Sequence, residues 1–255
     1  MPAQIHVFRC LSDNIGALVH DPKTGACAAI DAPEDAPILA ALEQTGWRLT
    51  DLLITHRHFD HVQGAAGLKA KTGCRILAPL KAREAVPDAD VYVQEGDIVS
   101  VGDLKAKVWE TPGHCSDHVS YWFEAERAAF VGDTLFTLGC GRVLDGSYSD
   151  LWSSLQRLAA LPDDVRIYCG HDYTLSNGKF ALAADPDNAA LRARVAEAEA
   201  AAKEGRFLVP TTIGEEKAAN PFLRAGEPAL AKSVQCEGAD AFSVFQALRE
   251  WKNRF

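Results

Sequence analysis

Four potential metal ligands lie within one heptapeptide, Thr55-His56-Arg57-His58-Phe59-Asp60-His61. An open catalytic metal usually takes three protein ligands and keeps one position for water. Three imidazoles and a carboxylate exceed that number, and they would be costly to hold together without a cation. The heptapeptide therefore predicts a site for two metal ions.

Three further candidate ligands occur later in the chain, each after a short apolar run: His114, Asp133 and His171. A single histidine after a strand is more often a hydrogen-bonded structural residue, and an aspartate in such a place is often a turn or capping residue. A dinuclear site needs more ligands than the heptapeptide supplies, however, and two nearby cations need an anion between them. We expect all three residues to be ligands, with Asp133 as the bridge.

Short strands would position these residues, because each candidate follows the end of a strand-like segment. In α/β folds, the loops at strand ends are where sites are assembled on a rigid scaffold. Eight segments have the pattern of strands: Ile5–Phe8, Ala26–Ile30, Asp51–Thr55, Arg75–Ala78, Lys105–Glu110, Val119–Phe123, Ala128–Val131 and Val165–Cys169. Helical periodicity predicts Ala36–Thr45, Asp60–Thr72 and Ser149–Leu161, so that the body has an α/β fold.

Beyond about residue 172 the chain becomes rich in alanine, glutamate and arginine, and no strand is predicted there. Asp185-Pro186 is expected to open a long helix that runs through Ala202 and ends at Gly205. Thr212 to Glu215 has the pattern of a capping box, and Ala239–Phe255 predicts a terminal helix with Phe242, Phe245 and Leu248 inward. We predict two domains, 1–172 (α/β) and 173–255 (all-helical).

Composition excludes several classes of protein. The 255 residues are 47% hydrophobic and carry a net charge of −9, which favours an ordinary globular chain and argues against a nucleic-acid partner. Seven scattered cysteines, an odd number, favour a reducing compartment, and no segment has the length and apolarity of a membrane span. We expect a cytoplasmic monomer.

The candidate ligands resemble those of the metallo-β-lactamase superfamily, and the closer resemblance is to the glyoxalase II (hydroxyacylglutathione hydrolase) family. It spans nearly the whole chain and includes the segments Gly132-Asp133-Thr134-Leu135-Phe136, Gly139-Cys140-Gly141-Arg142, Gly170-His171-Asp172-Tyr173-Thr174, Asn220-Pro221-Phe222-Leu223-Arg224 and Arg249-Glu250-Trp251-Lys252. The resemblance implies an αββα sandwich that carries the metals, followed by a smaller helical domain that helps to hold glutathione.

The resemblance also implies the ligand sets and the reaction. One ion would be bound by His56, His58, His114 and Asp133, and the other by Asp60, His61, His171 and Asp133. The ions would be zinc, with iron or manganese as alternatives, since imidazole and carboxylate ligands do not select among them. A hydroxide held by the two ions would hydrolyse S-(2-hydroxyacyl)glutathione, S-D-lactoylglutathione above all, in the second step of methylglyoxal detoxification.

For the substrate carboxylates, the resemblance nominates Arg142, Tyr173, Arg249 and Lys252, and it places Leu144 as a further substrate-binding residue. Without the resemblance, Arg249 and Lys252 would be expected to face solvent near the end of the terminal helix, where cations are common. Leu144 departs from the aromatic residue that relatives often have, which would remove a side-chain contact but leave the backbone N–H. Asp117 departs from a frequent glycine, and His118 is expected to support the metal ligands without binding metal or to have a structural role.

Alternatives remain within the same fold and outside it. A persulfide dioxygenase, a lactonase, a β-lactamase or a nuclease can share the heptapeptide, and a non-catalytic glutathione-conjugate-binding module would bind without turnover. A dioxygenase would use one iron and leave Asp60 and His61 without metal. Cys115, Cys140 and Cys169 are expected to be small buried packing residues, and Trp47, Trp109, Trp122 and Trp152 to be core residues.

Overall fold

The computed structural model describes residues 1–255, which form two compact units. Unit 1 comprises Met1–Glu110 and Cys115–Gly132. Unit 2 comprises Thr111–His114 and Asp133–Phe255. The chain thus passes between the units more than once, and three of the candidate ligands belong to unit 2.

A six-stranded sheet with consecutive strand order forms much of unit 1. The first three strands are antiparallel and the last four are parallel, with the third strand common to both parts. The central strands are short and fully buried, as is usual for parallel strands that are covered on both faces. The strands are β1 (Gln4–Cys10), β2 (Asn14–His20), β3 (Cys27–Ile30), β4 (Asp51–Leu53), β5 (Arg75–Pro79) and β6 (Val91–Val93).

Three helices connect the parallel strands: α1 (Asp35–Thr45), α2 (Phe59–Val62) and α3 (Ala65–Thr72). Helices α1 and α3 end at glycines with left-handed backbone conformation, Gly46 (φ 70°) and Gly73 (φ 71°), which is a common helix C-terminus. Their apolar faces bury Ile38, Leu42 and Leu68 in one core with side chains of the sheet.

Four antiparallel strands complete unit 1, in the order β10-β9-β8-β7. They are β7 (Ile98–Val101), β8 (Leu104–Glu110), β9 (Val119–Phe123) and β10 (Ala128–Gly132). The Tyr121 hydroxyl donates a hydrogen bond to the Ile54 carbonyl at 2.7 Å, and the Val119 N–H donates to the Thr55 carbonyl at 2.9 Å. Strand β9 therefore anchors the chain where the heptapeptide begins.

Unit 2 contains two short antiparallel strand pairs and six helices. The pairs are β11 (Leu135–Phe136) with β12 (Gly139–Cys140), and β13 (Arg166–Cys169) with β14 (Thr211–Thr212). Three fully buried phenylalanines, Phe180, Phe222 and Phe245, pack together among the helices. The helices are α4 (Tyr148–Ala159), α5 (Thr174–Ala184), α6 (Ala189–Lys203), α7 (Ile213–Ala219), α8 (Pro228–Ser233) and α9 (Ala241–Arg254).

The predicted helix over 60–72 is wrong in one respect, because the structure has two helices, α2 and α3, in its place. The His61 carbonyl accepts the Ala32 N–H at 2.8 Å, and the Gly64 N–H donates to the Ala32 carbonyl at 2.9 Å. A Cβ at Gly64 would lie 2.8 Å from the Asp35 nitrogen, so that the close backbone approach requires glycine. The helical ladder is interrupted by this tertiary contact.

The predicted start of the long helix at Asp185-Pro186 is also wrong. Asp185 is the C-cap of α5 and has a non-helical backbone (φ −137°, ψ 65°), and Asn188 is the N-cap of α6, where its side chain accepts the Leu191 N–H. The preceding helix α5 is absent from the sequence prediction because its buried positions include Asn177 and Gly178, so that no apolar stripe is visible.

The strand prediction is incomplete. Strand β2 has no alternating pattern because nearly all of it is buried, and β14 is a two-residue strand beyond residue 172, where none was expected. Strands β6, β7, β11 and β12 are likewise missing from the prediction. Of the four tryptophans expected in the core, Trp122 is buried, whereas Trp47, Trp109 and Trp152 are half-buried.

Several local predictions are confirmed. The capping box of α7 is present, with reciprocal bonds between Thr212 and Glu215. In α9, Phe245 and Leu248 are fully buried and Phe242 is half-buried. None of the helices has the length and apolar character needed to cross a membrane.

Candidate active site

The heptapeptide follows β4 and leads into α2. His56 and His61 are buried, with their ring centroids 4.0 Å apart, and His58 is half-buried. The Nε2 atom of His56 lies 3.0 Å from Nδ1 of His58, and Oδ2 of Asp60 lies 3.6 Å from Nε2 of His61. Unit 1 therefore brings the four predicted ligands of this segment together.

Asp31 is a buried acceptor that orients two of these histidines. Its Oδ1 accepts the Thr55 N–H at 2.7 Å, and its Oδ2 accepts the Thr55 hydroxyl at 2.8 Å and lies 2.8 Å from His61 Nδ1. Since the Thr55 hydroxyl donates to Asp31, it accepts from His56 Nδ1, 2.9 Å away. Both imidazoles then carry a proton on Nδ1, which leaves the lone pair on Nε2 to face a metal.

The sequence prediction missed Asp31, although a signal was available. Asp31 directly follows β3, just as the predicted ligands follow their own strands. The strand-end rule used for the other loops would have selected it.

Two further polar side chains hold the heptapeptide. The buried Asn14 amide donates to the Asp60 carbonyl at 3.1 Å and to Asp60 Oδ2 at 3.3 Å. Asp117 is also buried, and it accepts the Arg57 N–H at 2.9 Å and the Arg57 guanidinium at 2.6 Å. The departure from glycine at Asp117 thus adds hydrogen bonds to the ligand-bearing loop. The expected structural role of His118 agrees with its buried ring, stacked 4.9 Å from that of His56.

In unit 2, two buried histidines lie beside one buried carboxylate. Oδ2 of Asp133 lies 3.5 Å from Nε2 of His114 and 3.4 Å from Nε2 of His171. Nδ1 of His114 donates to the Arg142 carbonyl at 2.7 Å, which again leaves the lone pair on Nε2. Unit 2 therefore brings its three predicted ligands together with Asp133 at the centre.

The same unit contains a pocket of about 410 Å³ beside these donors. Both His114 and Asp133 line it, together with all five residues predicted to bind substrate. Those five residues are Arg142, Leu144, Tyr173, Arg249 and Lys252. The ring of Tyr173 stacks on that of His171, with the centroids 4.8 Å apart and the two ring planes nearly parallel (interplanar angle 5°).

Two family models together cover most of the chain. One, described as the metallo-beta-lactamase superfamily, matches residues 23–171, and the other, described as the hydroxyacylglutathione hydrolase C-terminus, matches residues 172–255. A protein of Methylobacterium nodulans named hydroxyacylglutathione hydrolase is 65% identical over 99% of both chains. One of Rhodopseudomonas palustris with the same name is 57% identical over 99% of both chains. The chain belongs to the hydroxyacylglutathione hydrolase family.

A comparison of structures agrees with this family. The crystal structure of ETHE1 from Myxococcus xanthus is similar with a TM-score of 0.70 and 27% identity, over 98% of this chain and 90% of that one. The predicted fold class, a metallo-β-lactamase-like body followed by a smaller, largely helical part, is confirmed.

The cationic side of the pocket is more buried than a solvent-facing helix end would be. Arg249 is only 4% exposed, and its Nη1 donates to the Cys140 carbonyl at 2.8 Å, so the alternative in which it faces solvent is wrong. Lys252 is half-buried and donates to the Ser176 carbonyl at 3.2 Å. Burial, and then the charges of Arg249 and Arg142, lower the pKa of Lys252 to about 8.

Leu144 lies at the edge of the pocket, with 57% of its surface exposed. Its backbone N–H donates to the His114 carbonyl at 3.0 Å. The backbone N–H of Leu144, which was expected to remain available to glutathione, is therefore already bonded to the loop that carries His114.

The expected packing role of the three cysteines is confirmed by their complete burial. Burial raises the pKa of Cys140 despite the nearby Arg249, and raises that of Cys169 to about 12. Neither thiol has the lowered pKa of a nucleophile. The Cys115 thiol is a further ligand-type group near His56 and His58, all within 4.8 Å of one another.

The donor chemistry fits divalent metal ions in both units. The predicted ligands are imidazoles and carboxylates, and three of the imidazoles have Nδ1 held by a hydrogen-bond acceptor so that Nε2 can coordinate. Such a set suits zinc, iron or manganese. The His/Asp clusters in this fold support a dinuclear metal centre.

Proposed function

We propose that this protein hydrolyses the thioester of S-(2-hydroxyacyl)glutathione, with S-D-lactoylglutathione as substrate and D-lactate and glutathione as products. Relatives that are 54–65% identical over essentially the whole chain are named hydroxyacylglutathione hydrolase. The single observation that carries the proposal is the pocket of unit 2, in which metal-type donors and a group of cations lie together.

For the metal centre, we propose that His56, His58 and His114 bind one zinc ion and that Asp60, His61 and His171 bind the other. Asp133 is proposed to bind both ions, since its carboxylate lies between two imidazoles within unit 2. When bound, the ions would supply hydroxide at neutral pH, through a water pKa near ~7, and a Lewis acid for the thioester carbonyl.

The chain's own side chains would bind and orient the substrate. Glutathione carries two carboxylates, and Arg142, Arg249 and Lys252 are the cations that line the pocket. The Tyr173 ring, which stacks on His171 and meets Phe136 edge to face, would form the wall between the cations and the donors. A peptide bound to the cations would bring its thioester toward His114 and Asp133.

The thiolate of glutathione is a good leaving group, so the departure of the product needs no separate general acid. Nδ1 of His114 donates to the Arg142 carbonyl, which fixes the orientation of the ring and leaves Nε2 beside Asp133. Arg142 would thus have two roles: its side chain would bind glutathione, and its carbonyl orients His114.

The alternatives receive less support. A lactonase would not require the C-terminal match over residues 172–255, which contributes Arg249 and Lys252 to the pocket, and the relatives that cover the whole chain are named for the hydrolase rather than for a dioxygenase. A non-catalytic glutathione-conjugate-binding module would use the same pocket and differs in the absence of turnover. A cytoplasmic location, a monomeric state and the absence of a nucleic-acid partner remain predictions from composition.

The proposal is tested by following the loss of thioester absorbance when metal-replete protein meets S-D-lactoylglutathione. We expect rapid hydrolysis that disappears after removal of the metals and returns when zinc is restored. A preparation with two zinc ions per chain that leaves the thioester intact would contradict the proposal.

A further inference from the structure

A fully buried carboxylate in unit 2 lies outside the metal ligands and the pocket lining. Glu216, in α7, has no exposed surface. Its Oε1 accepts the Thr211 hydroxyl at 2.7 Å, and its Oε2 accepts the Leu138 N–H at 2.8 Å and the Asn220 amide at 2.9 Å. All three partners are neutral donors, and a buried carboxylate is costly unless such bonds compensate it.

These bonds hold the tight turn between β11 and β12. Leu138 has a left-handed backbone (φ 60°), which is unfavourable for a leucine unless its surroundings fix it. The same Asn220 amide group that donates to Glu216 also donates to the Gly139 carbonyl at 2.9 Å, and Asn177 donates to the Thr137 carbonyl at 3.1 Å. Glu216 and Asn220 thus fix the hairpin from one side.

The hairpin forms part of the wall of the pocket. It begins just after Asp133 and ends just before Arg142, and Phe136 and Cys140 from its two strands line the pocket. The Cys140 carbonyl accepts the hydrogen bond from Arg249. A displacement of the hairpin would therefore move the Cys140 carbonyl, which holds Arg249, and the segment after β12, which carries Arg142.

The protonation state of Glu216 bears on this arrangement. Burial raises its pKa to about 7, against the hydrogen bonds from Thr211, Asn220 and Leu138 and the charge of Arg194 on α6. The thiol of Cys169 on β13 also faces this charge, since Glu216 contributes to its raised pKa. The carboxylate can accept from all three donors, whereas the acid carries a proton that itself needs an acceptor, so that the Thr211 hydroxyl must reverse its hydrogen bond or lose it.

We propose that Glu216 is a positioning residue for glutathione binding: its carboxylate, together with Asn220, holds the β11–β12 hairpin and thereby the cationic wall of the pocket. This inference rests on the proposed function for the identity of the ligand. It assigns to Glu216 no contact with substrate, only the placement of residues that make such contacts.

The test combines an amide resonance with ligand binding in the full-length holoprotein. Nitrogen-15 NMR would follow the Leu138 amide from pH 5.5 to 8.5, and calorimetry would give the Kd of S-hexylglutathione, a thioether that cannot be hydrolysed. The variants are Glu216→Gln and Thr211→Val, with the exposed Glu199→Gln of α6 as the matched control.

We expect the Leu138 amide to titrate with a midpoint near the pKa of about 7 in the native protein and in Glu199→Gln, and not in Glu216→Gln. Binding of S-hexylglutathione by Glu216→Gln at pH 7.5 should be weaker by about fivefold or more. In Thr211→Val, loss of one donor to the carboxylate should raise the Leu138 midpoint by roughly half a unit. This last variant decides the case if Glu216→Gln does not fold.

A Leu138 amide that does not titrate in the native protein, or a midpoint unmoved in Thr211→Val, would overturn the proposal, as would an unchanged Kd in folded Glu216→Gln. None of these readouts involves turnover. Failure of the thioesterase assay alone would count against the proposed function and leave the role of Glu216 standing.

Discussion

The two units hold their metal-type donors in different ways. In unit 1, four donors follow one another in the heptapeptide, and buried side chains such as Asp31 and Asn14 orient them. In unit 2, His114, Asp133 and His171 come from three separate segments, and Nδ1 of His114 donates to a main-chain carbonyl, that of Arg142.

This difference determines which substitutions can disturb the metal-type donors of each unit. Orientation in unit 1 depends on side chains that a point substitution can remove, whereas the contact to the Arg142 carbonyl in unit 2 survives any change of the Arg142 side chain. Unit 2 also carries the cations of the pocket, so that it combines donors with recognition of the ligand. Substitutions in the two units should therefore separate metal loading from substrate affinity.

The largest effect is expected from removal of the proposed bridge. Asp133→Ala should lower zinc content to nearly none per chain and turnover by roughly 1,000-fold, equivalent to about 4 kcal/mol, because both ions lose a ligand. His58→Ala should retain about one ion, since it removes a ligand of only one. Zinc content is measured by atomic emission, with the exposed Asp187→Ala as the control. Equal loss of metal in Asp133→Ala and His58→Ala would contradict the proposal that Asp133 binds both ions.

A smaller effect is expected from Asp31→Asn in unit 1. The amide can accept from Thr55 but places an N–H where His61 Nδ1 or the Thr55 hydroxyl must donate, so the histidines lose their orientation. Zinc affinity should fall about 10- to 100-fold, as measured by competition with a chelator. Unchanged affinity, equal to that of the exposed Asp88→Asn control, would show that Asp31 does not orient the ligands.

In unit 2, Arg249→Ala combined with Lys252→Ala should affect the substrate rather than the metal. We expect KM to rise about tenfold or more, because charge-assisted hydrogen bonds to the carboxylates are lost, while the zinc content stays at its native value. Steady-state kinetics beside the exposed pair Lys203→Ala with Lys217→Ala gives the comparison. An unchanged KM would remove these two residues from the proposed binding site.

The smallest effect concerns the pH dependence of binding. Lys252 has a pKa of about 8, lowered mainly by burial, so it is a cation below that pH and neutral above it. The Kd of S-hexylglutathione should therefore rise severalfold, roughly three- to tenfold, between pH 7 and pH 9. Titration of the ligand itself affects the native protein and Lys252→Gln equally, so the rise in Kd that is due to Lys252 should be absent in the variant. Equal pH profiles of Kd for the two proteins would contradict the role of Lys252 in binding.

The sequence was most informative where chemistry is local. Closely spaced histidines and aspartates in the heptapeptide predicted a metal site, and periodicity predicted α1, α4 and α9 within one or two residues. It was least informative where tertiary contacts decide the outcome: the break between α2 and α3 depends on the backbone of Ala32, and the buried role of Arg249 depends on the Cys140 carbonyl.

Two parts of the prediction depended on resemblance rather than on physical patterns. The five residues proposed for glutathione binding are scattered between Arg142 and Lys252, and no spacing rule joins them. Glu216 carried no signal as a functional residue, because a glutamate in the first turn of a helix is usually a surface group, and only its complete burial identifies it.

The central claim is that donors of the metallo-β-lactamase type supply the chemistry while the pocket of unit 2 reads the glutathione peptide. The most direct measurement is the rate of thioester hydrolysis for S-D-lactoylglutathione beside a D-lactoyl thioester of a simple alkyl thiol. We predict rapid hydrolysis of the first and little of the second at equal concentration. Equal hydrolysis of both would contradict recognition by the pocket, and hydrolysis of neither by the two-zinc protein would contradict the thioesterase itself.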